Sequence, residues 1–252
     1  MLEVIRMLKK LYEKSELWFS IVWIIVYVIL ASIGDNLSMM TGIEKVVTLP
    51  ILIILSFILF FFIRKNKLYN KYGLCKSNVN HSKMLFYIPL VILITANLWY
   101  GVALNFTFLE TIFYILSMFC VGFLEEMIFR GFLFKAMAKN GVKSAIIVSS
   151  VTFGIGHIVN LINGSGANII SNLLQVIYAI AIGFTFVMIF YKTNSLLPCI
   201  ITHCIFNSLS AFSNEAIMLP QNEIISGILI TIIAGVYALY ITFMIKEKDK
   251  EI

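Results

Sequence analysis

The stretch FLETIFYILSMFCVGFLEEMIFRGFLF, residues 108–134, has the length and apolar content of a membrane span but carries charged side chains in its second half. Glu125, Glu126 and Arg130 lie within six residues of one another, among Phe, Leu, Met and Ile. A charged side chain at the centre of a membrane helix costs about 2.5–3.5 kcal/mol on insertion scales. Such residues need a partner or a purpose, so a functional site is the default interpretation.

The whole chain has the composition of a membrane protein. Of its 252 residues, 60% are hydrophobic and 13% are charged, whereas soluble domains are about 45–50% apolar and about 25% charged. The sequence predicts an all-α polytopic bundle of about eight transmembrane helices. We expect an amphipathic N-terminal segment at 1–16, a transmembrane domain at 17–245 with its motifs in 108–213, and a tail at 246–252. The apolar segments cover residues 17–33, 46–63, 84–104, 108–134, 143–161, 170–191, 196–213 and 223–245.

The distribution of charge predicts how the bundle is oriented. The net charge is +6, and Lys and Arg cluster in both tails and in the loops after the second, fourth and sixth apolar segments. If eight helices alternate, these regions all lie on one side, which the positive-inside rule assigns to the cytoplasm. We therefore predict a multi-pass protein of the cell membrane, with cytoplasmic N- and C-termini and no nucleic-acid partner. The polar, glycine-rich turn at 163–168 is predicted on the opposite side.

Helical geometry separates the three charged residues of the fourth segment. Glu126 and Arg130 are four residues apart, with Glu nearer the N-terminus, which is the better orientation for an ion pair. A buried structural salt bridge is one interpretation of this pair. Glu125 lies about 100° around the helix from Glu126, so we expect it to point elsewhere without a local partner. A carboxylate left free in a low-dielectric site can act as a general base or acid near neutral pH.

Two further apolar segments carry polar side chains. His157 follows Gly154 and Gly156 on a helix whose small residues allow close approach of a neighbouring backbone or a substrate. His203 and Asn207 share one helix face at a spacing of four residues. Each group could simply form hydrogen bonds between helices. All of them fall at similar predicted depths on three helices, however, and a shared cavity explains this better than three unrelated structural needs.

The three polar motifs together resemble the CPBP group of intramembrane proteases. This group includes the type II CAAX prenyl endopeptidases and bacterial relatives linked to bacteriocin processing, bacteriocin immunity and lysostaphin resistance. The resemblance covers roughly residues 108–213, and every motif position agrees. The motifs are Glu125-Glu126-x-x-x-Arg130-Gly131, Phe153-x-x-x-His157 and His203-x-x-x-Asn207, in that order on separate segments.

The resemblance implies catalytic roles for four polar residues, which act as two pairs. Glu125 and His157 match the glutamate and histidine that would activate a water molecule for attack on a peptide carbonyl. His203 and Asn207 match the pair that would stabilise the developing oxyanion. No Ser or Cys nucleophile is needed in this scheme.

The resemblance assigns Glu126 and Arg130 to supporting positions, with Glu126 a possible participant in proton transfer. Relatives in this group are often called metalloproteases, and Glu125, His157 and His203 could in principle ligate zinc. A His-x-x-x-His pair on one helix is absent, and water activation by glutamate and histidine needs no metal. We therefore expect a metal-free enzyme without a cofactor, with zinc as the alternative.

The leading hypothesis is an intramembrane endopeptidase that hydrolyses a peptide bond in a membrane-associated peptide or protein. Its partners would be the lipid bilayer and a substrate such as a bacteriocin leader, a pheromone precursor or a regulatory protein. A non-catalytic bacteriocin-immunity or membrane scaffold protein is the alternative from a different class. A small transporter is a third option, because buried Glu, His and Arg also suit proton relays, but the sequence has no inverted repeat.

Overall fold

The computed structural model describes residues 2–162, 169–217 and 219–245. Within these ranges the chain is helical and has no β-strand, and a single isolated bridge pairs Val102 with Ser213. The helices are α1 (Leu2–Lys14), α2 (Glu16–Thr41), α3 (Thr48–Lys65), α4 (Ile88–Ile94), α5 (Phe108–Glu125), α6 (Lys135–Ala138), α7 (Val142–Gly156), α8 (Val159–Ile162), α9 (Ile169–Thr193), α10 (Leu197–Leu209) and α11 (Pro220–Met244).

Each of the eight predicted apolar segments is largely helical. Among the described residues, six helical stretches are long and apolar enough to cross a membrane. Two others are shorter, Val142–Gly156 and Leu197–Phe212, and they correspond to the segments predicted at 143–161 and 196–213. The all-α, multi-pass architecture is confirmed. The sequence predicted the fifth and seventh segments as complete spans, but their regular helices, α7 and α10, are shorter than the predicted segments. The six long stretches are Glu16–Thr41, Thr48–Lys65, His81–Leu98, Phe108–Ala138, Ile169–Thr193 and Pro220–Met244.

Local sequence signals determine where the key helices begin and end. The hydroxyl of Ser15 accepts a hydrogen bond from the backbone N–H of Trp18 at the start of α2, and Gly42 ends α2 in the left-handed conformation at φ 72°. At the start of α5, Thr107 and Glu110 form a capping box in which each side chain accepts from the other residue's backbone N–H. These caps fix both ends of α2 and the start of α5.

The fourth predicted segment forms one continuous helix, part of which is π-helical. Helix α5 continues directly into the π-helical segment Glu126–Phe134 and then into α6. π-Helical turns are rare and often occur at functional sites. Here the π-helical section begins at Glu126, the second of the two adjacent glutamates.

Close helix contacts depend on two glycines in the motif region. A Cβ atom added to Gly122 on α5 would lie 2.6 Å from Sγ and 2.8 Å from the backbone nitrogen of Cys204 on α10. A Cβ atom added to Gly154 on α7 would lie 2.9 Å from the backbone nitrogen of Ile180 on α9. Small residues allow this close approach of membrane helices. The predicted role of glycine near His157 therefore applies to Gly154, whereas Gly156 has open space around it.

Two predicted features lie outside the described residues. These are the turn at 163–168, predicted to face away from the cytoplasm, and the tail at 246–252.

Candidate active site

The imidazole of His203 lies between the two adjacent glutamates of the π-helical junction. Its Nδ1 is 2.8 Å from Oε1 of Glu126, and its Nε2 is 3.5 Å from Oε2 of Glu125. The first distance is that of a hydrogen bond, and the second is longer than a well-formed one. The sequence predicted that Glu125 and Glu126 would point in different directions. They do diverge, but onto opposite edges of the same ring.

Glu126 and Arg130 form the ion pair that their spacing predicts, with Nη1 of Arg130 3.0 Å from Oε1 of Glu126. Both side chains are fully buried. The guanidinium carbon of Arg130 also lies 3.9 Å from the centre of the Phe153 ring, a favourable cation–π distance. A buried charge left without its partner is strongly destabilising, so this pair holds the carboxylate that contacts His203.

Glu125 has a partner that the sequence analysis missed. The hydroxyl of Tyr27, on α2, donates a hydrogen bond of 2.7 Å to Oε1 of Glu125. Tyr27 is buried and lies outside the segment that carries the three motifs. One sequence signal could have found it: a tyrosine in the middle of an apolar span needs a partner for its hydroxyl. The identity of that partner depends on how α2 packs against α5.

His157 caps the C-terminal end of α7. Its backbone N–H donates to the carbonyl of Gly154, and its own carbonyl accepts a 3.0 Å hydrogen bond from Nδ2 of Asn172. Its ring packs edge-to-face on Phe153, with centroids 5.3 Å apart, and Phe153 contacts His203 in the same way at 5.7 Å. Phe153 therefore contacts both histidines as well as Arg130.

A cavity of about 620 Å³ joins the predicted site residues. Glu125, His157 and Asn207 line it, together with Tyr27. His203 is set back from this cavity and lines a smaller pocket, which it shares with His157 and Asn207. The structure thus brings all four predicted catalytic residues to one place, with the carboxylate, one imidazole and the amide facing the large cavity.

The alternative zinc ligands proposed from the sequence are Glu125, His157 and His203. In the described ranges, no group of three or more His, Cys, Asp or Glu side chains could hold a metal ion. Both ring nitrogens of His203 face carboxylates, and Nδ1 forms a hydrogen bond with Glu126.

Fold and site together define a class of protein: a multi-pass membrane protein with a polar, carboxylate- and histidine-containing cavity among its spans. Residues 107–209 match the Rce1-like family, described as type II CAAX prenyl endopeptidase Rce1-like. This match confirms the resemblance to the CPBP intramembrane proteases over that segment, and the matched family is one of hydrolases. Searches of curated proteins and of solved structures found no significant match.

Proposed function

We propose that this protein is an intramembrane endopeptidase that cuts a peptide bond in a membrane-associated peptide or protein. The family match supports endopeptidase activity of this kind in general. The observation that carries the proposal is the placement of Glu125. It faces a cavity large enough for a peptide segment, its carboxylate is oriented by Tyr27, and His157 and Asn207 line the same cavity.

In the proposed reaction, a water molecule between Glu125 and His157 gives a proton to Glu125. The hydroxide oxygen attacks the carbonyl carbon of the scissile bond and forms a tetrahedral intermediate. When the C–N bond breaks, the proton on Glu125 passes to the leaving amine. General-base assistance of this type is worth about 10²–10⁴-fold in rate.

Asn207 and His203 would stabilise the oxyanion of the intermediate. The amide of Asn207 is on the cavity wall and can donate directly. Nδ1 of His203 contacts Glu126, which is paired with Arg130, so Nδ1 is the nitrogen that carries a proton in neutral His203. Nε2 can donate only when His203 is also protonated there. Loss of one oxyanion donor typically costs about 10²–10³ in turnover.

In this proposal Glu126 and Arg130 are positioning residues. Arg130 compensates the charge of Glu126, and Glu126 fixes the orientation and the protonated nitrogen of His203. Neither side chain lines the large cavity. The proposed reaction uses no metal and no cofactor.

The substrate classes that we propose are a bacteriocin leader, a peptide pheromone precursor or a regulatory membrane protein. The test compares the peptides of cells that express wild-type protein and Glu125→Gln. The control is Glu110→Gln, which makes the same change on the same helix and keeps an oxygen for the capping box. We expect the cleavage products to disappear with Glu125→Gln and to persist with Glu110→Gln.

Two outcomes would overturn parts of this proposal. Normal cleavage by Glu125→Gln would refute the mechanism, and a cellular phenotype that persists at full strength in that variant would favour the immunity or scaffold function. Once cleavage is established, dialysis of the purified protein against a chelator should leave the rate unchanged. A loss of rate that zinc restores would refute the metal-free scheme.

A further inference from the structure

The large cavity extends along α2 from the site to one end of the bundle. Tyr27, Ala31, Asp35 and Met39 are spaced four residues apart and all line it. At 1.5 Å per residue, this row covers about 18 Å. Its first member binds Glu125, and its last is 59% exposed, two residues before α2 ends. The cavity is therefore a passage from the catalytic depth to the end of α2 that carries Met39.

Contacts at the rim of this passage show which helix ends meet there. In the α2–α3 connection, the backbone N–H of Glu44 donates to Glu110 in the first turn of α5, at 3.1 Å. Lys45 pairs with Asp35 at 2.8 Å and lies 5.9 Å from the ring of Tyr114. The hydroxyls of Tyr114 and Ser210, the latter just after α10, are 2.8 Å apart. The rim therefore joins the C-terminal ends of α2 and α10 to the start of α5.

Towards the N-terminal end of α2, packed aromatic side chains close the cavity. Phe19 and Trp23 precede Tyr27 on this helix and are 0% and 4% exposed. The ring of Phe19 stacks on Phe62 with centroids 4.9 Å apart and meets the edge of Phe132 at 5.0 Å. On α2, no described residue before Tyr27 lines the cavity. These aromatic side chains therefore close the passage between Glu125 and the N-terminal end of α2.

Basic residues surround the closed end. Lys71, from the loop after α3, lies 2.7 Å from Glu16 at the start of α2, and Lys139, after α6, lies 2.8 Å from the same carboxylate. Arg64 and Lys65 form the basic last turn of α3, and the connection from α3 to α4 carries further lysines at positions 67, 76 and 83. By the positive-inside rule, this end of the bundle is cytoplasmic.

We propose that the active site opens only to the extracytoplasmic side of the membrane. Its substrate would be a peptide segment that is presented on that side, for example the exported part of a membrane-anchored peptide. The statement about the substrate rests on the proposed endopeptidase function, whereas the direction of access does not.

The test uses single cysteines in a variant whose four native cysteines are replaced. Met39→Cys probes the rim and Ala31→Cys the passage. Asn70→Cys probes an exposed position in the basic loop without changing its charge. Intact cells and inverted vesicles are treated with a membrane-impermeant maleimide. We expect Met39→Cys and Ala31→Cys to react in intact cells, and Asn70→Cys to react only in inverted vesicles.

Each other labelling pattern contradicts the proposal. Reaction of Met39→Cys only in inverted vesicles would reverse the direction of access. Failure of Ala31→Cys to react from either side would show that the passage is closed. Because labelling needs no catalysis, the same variants in a Glu125→Gln background should give the same pattern. A failure of the access proposal is thereby distinguished from a failure of the endopeptidase proposal.

Activity provides the second arm of the test. A maleimide attached to Ala31→Cys from outside should block the passage, so the labelled variant should lose the cleavage activity that the same variant shows before labelling. The same treatment of Asn70→Cys in inverted vesicles should leave cleavage intact. Undiminished cleavage by labelled Ala31→Cys would show that the substrate arrives by another route.

Discussion

The hydroxyl of Tyr27 donates a 2.7 Å hydrogen bond to Oε1 of Glu125 across 98 positions of sequence. It connects the first long membrane helix with the motif segment that matches the Rce1-like family. Because the other carboxylate oxygen is 3.5 Å from Nε2 of His203, Glu125 is held from two sides. The orientation of the proposed general base therefore depends on a residue outside the motifs.

Removal of this hydroxyl by Tyr27→Phe should lower turnover and leave the fold intact. A hydrogen bond to a charged group is worth about 1.5–3 kcal/mol, which corresponds to about 10–100-fold in rate if it is lost in the transition state. The measurement is kcat and KM on the cleaved peptide. Tyr237→Phe is the control, because it removes an equally short buried hydrogen bond, to the carbonyl of Met84. Equal rates for Tyr27→Phe and Tyr237→Phe would exclude a special role for Tyr27.

The Glu126–Arg130 pair predicts strong coupling between two substitutions. Arg130→Met leaves the carboxylate of Glu126 buried without compensation, which should destabilise the protein by about 3–5 kcal/mol. Glu126→Gln combined with Arg130→Met should recover much of that stability, because no unpaired charge remains. Thermal unfolding in detergent measures both effects.

The double variant should still be inactive, since His203 has lost the carboxylate that orients its Nδ1. Rescue of stability without rescue of cleavage distinguishes a positioning role for Glu126 from a purely structural one. Recovery of cleavage along with stability would refute the positioning role.

Gly122→Ala should displace α10 and lower activity. The added methyl would lie 2.8 Å from the backbone nitrogen of Cys204, so rotation of the cysteine side chain cannot relieve the contact. His203 precedes Cys204 and would move with it. Overpacking of this kind costs about 1–3 kcal/mol. Gly235→Ala on α11 is the matched control, because nothing lies within 4 Å of its added methyl, and it should keep full activity. Equal cleavage by the two variants would contradict this prediction.

The ion pair at the basic end predicts a loss of stability at alkaline pH. Burial lowers the pKa of Lys71, but its hydrogen bonds to Glu16 and Tyr12 outweigh this effect and raise the pKa above its ordinary value. A raised lysine pKa stabilises the folded state below the unfolded pKa of about 10.4. This contribution is lost as the pH rises through the folded pKa.

Melting temperatures measured from pH 7 to above pH 11 should therefore fall more steeply for the wild-type protein than for Lys71→Met at the alkaline end. Lys9→Met provides a matched control, because Lys9 is an exposed lysine paired at 3.6 Å with Glu13. Parallel melting curves for the wild-type protein and Lys71→Met would contradict the prediction.

The membrane architecture could be predicted because composition and segment length are local properties. An apolar run of about 20 residues has few alternatives to a membrane helix, and each of the eight predicted segments is largely helical. The ends were less predictable. The regular part of α7 stops at Gly156, directly before His157 of the site, and that of α10 stops at Leu209, where a 3-10 turn continues to Phe212.

The polar residues of the site were also visible in the sequence, since a charge in an apolar span is costly wherever the span packs. Their partners were not visible. The π-helical segment that begins at Glu126 sets the directions of both glutamates relative to His203. The rotation of 100° per residue that holds in a regular α-helix does not apply in a π-helical segment, so it could not predict these directions.

The sequence by itself determined that this chain is a helical membrane protein with Glu125, Glu126, Arg130, His157, His203 and Asn207 in its spans. The tertiary structure alone decided that Tyr27 holds Glu125 and that His203 lies between two carboxylates. It also decided that the cavity is closed at Phe19, towards the start of α2, and extends to Met39 near the end of that helix. Hydrophobicity and helical spacing are properties of one segment at a time. Side-chain partners and the path of a cavity depend on how separate helices pack, and no single segment encodes that.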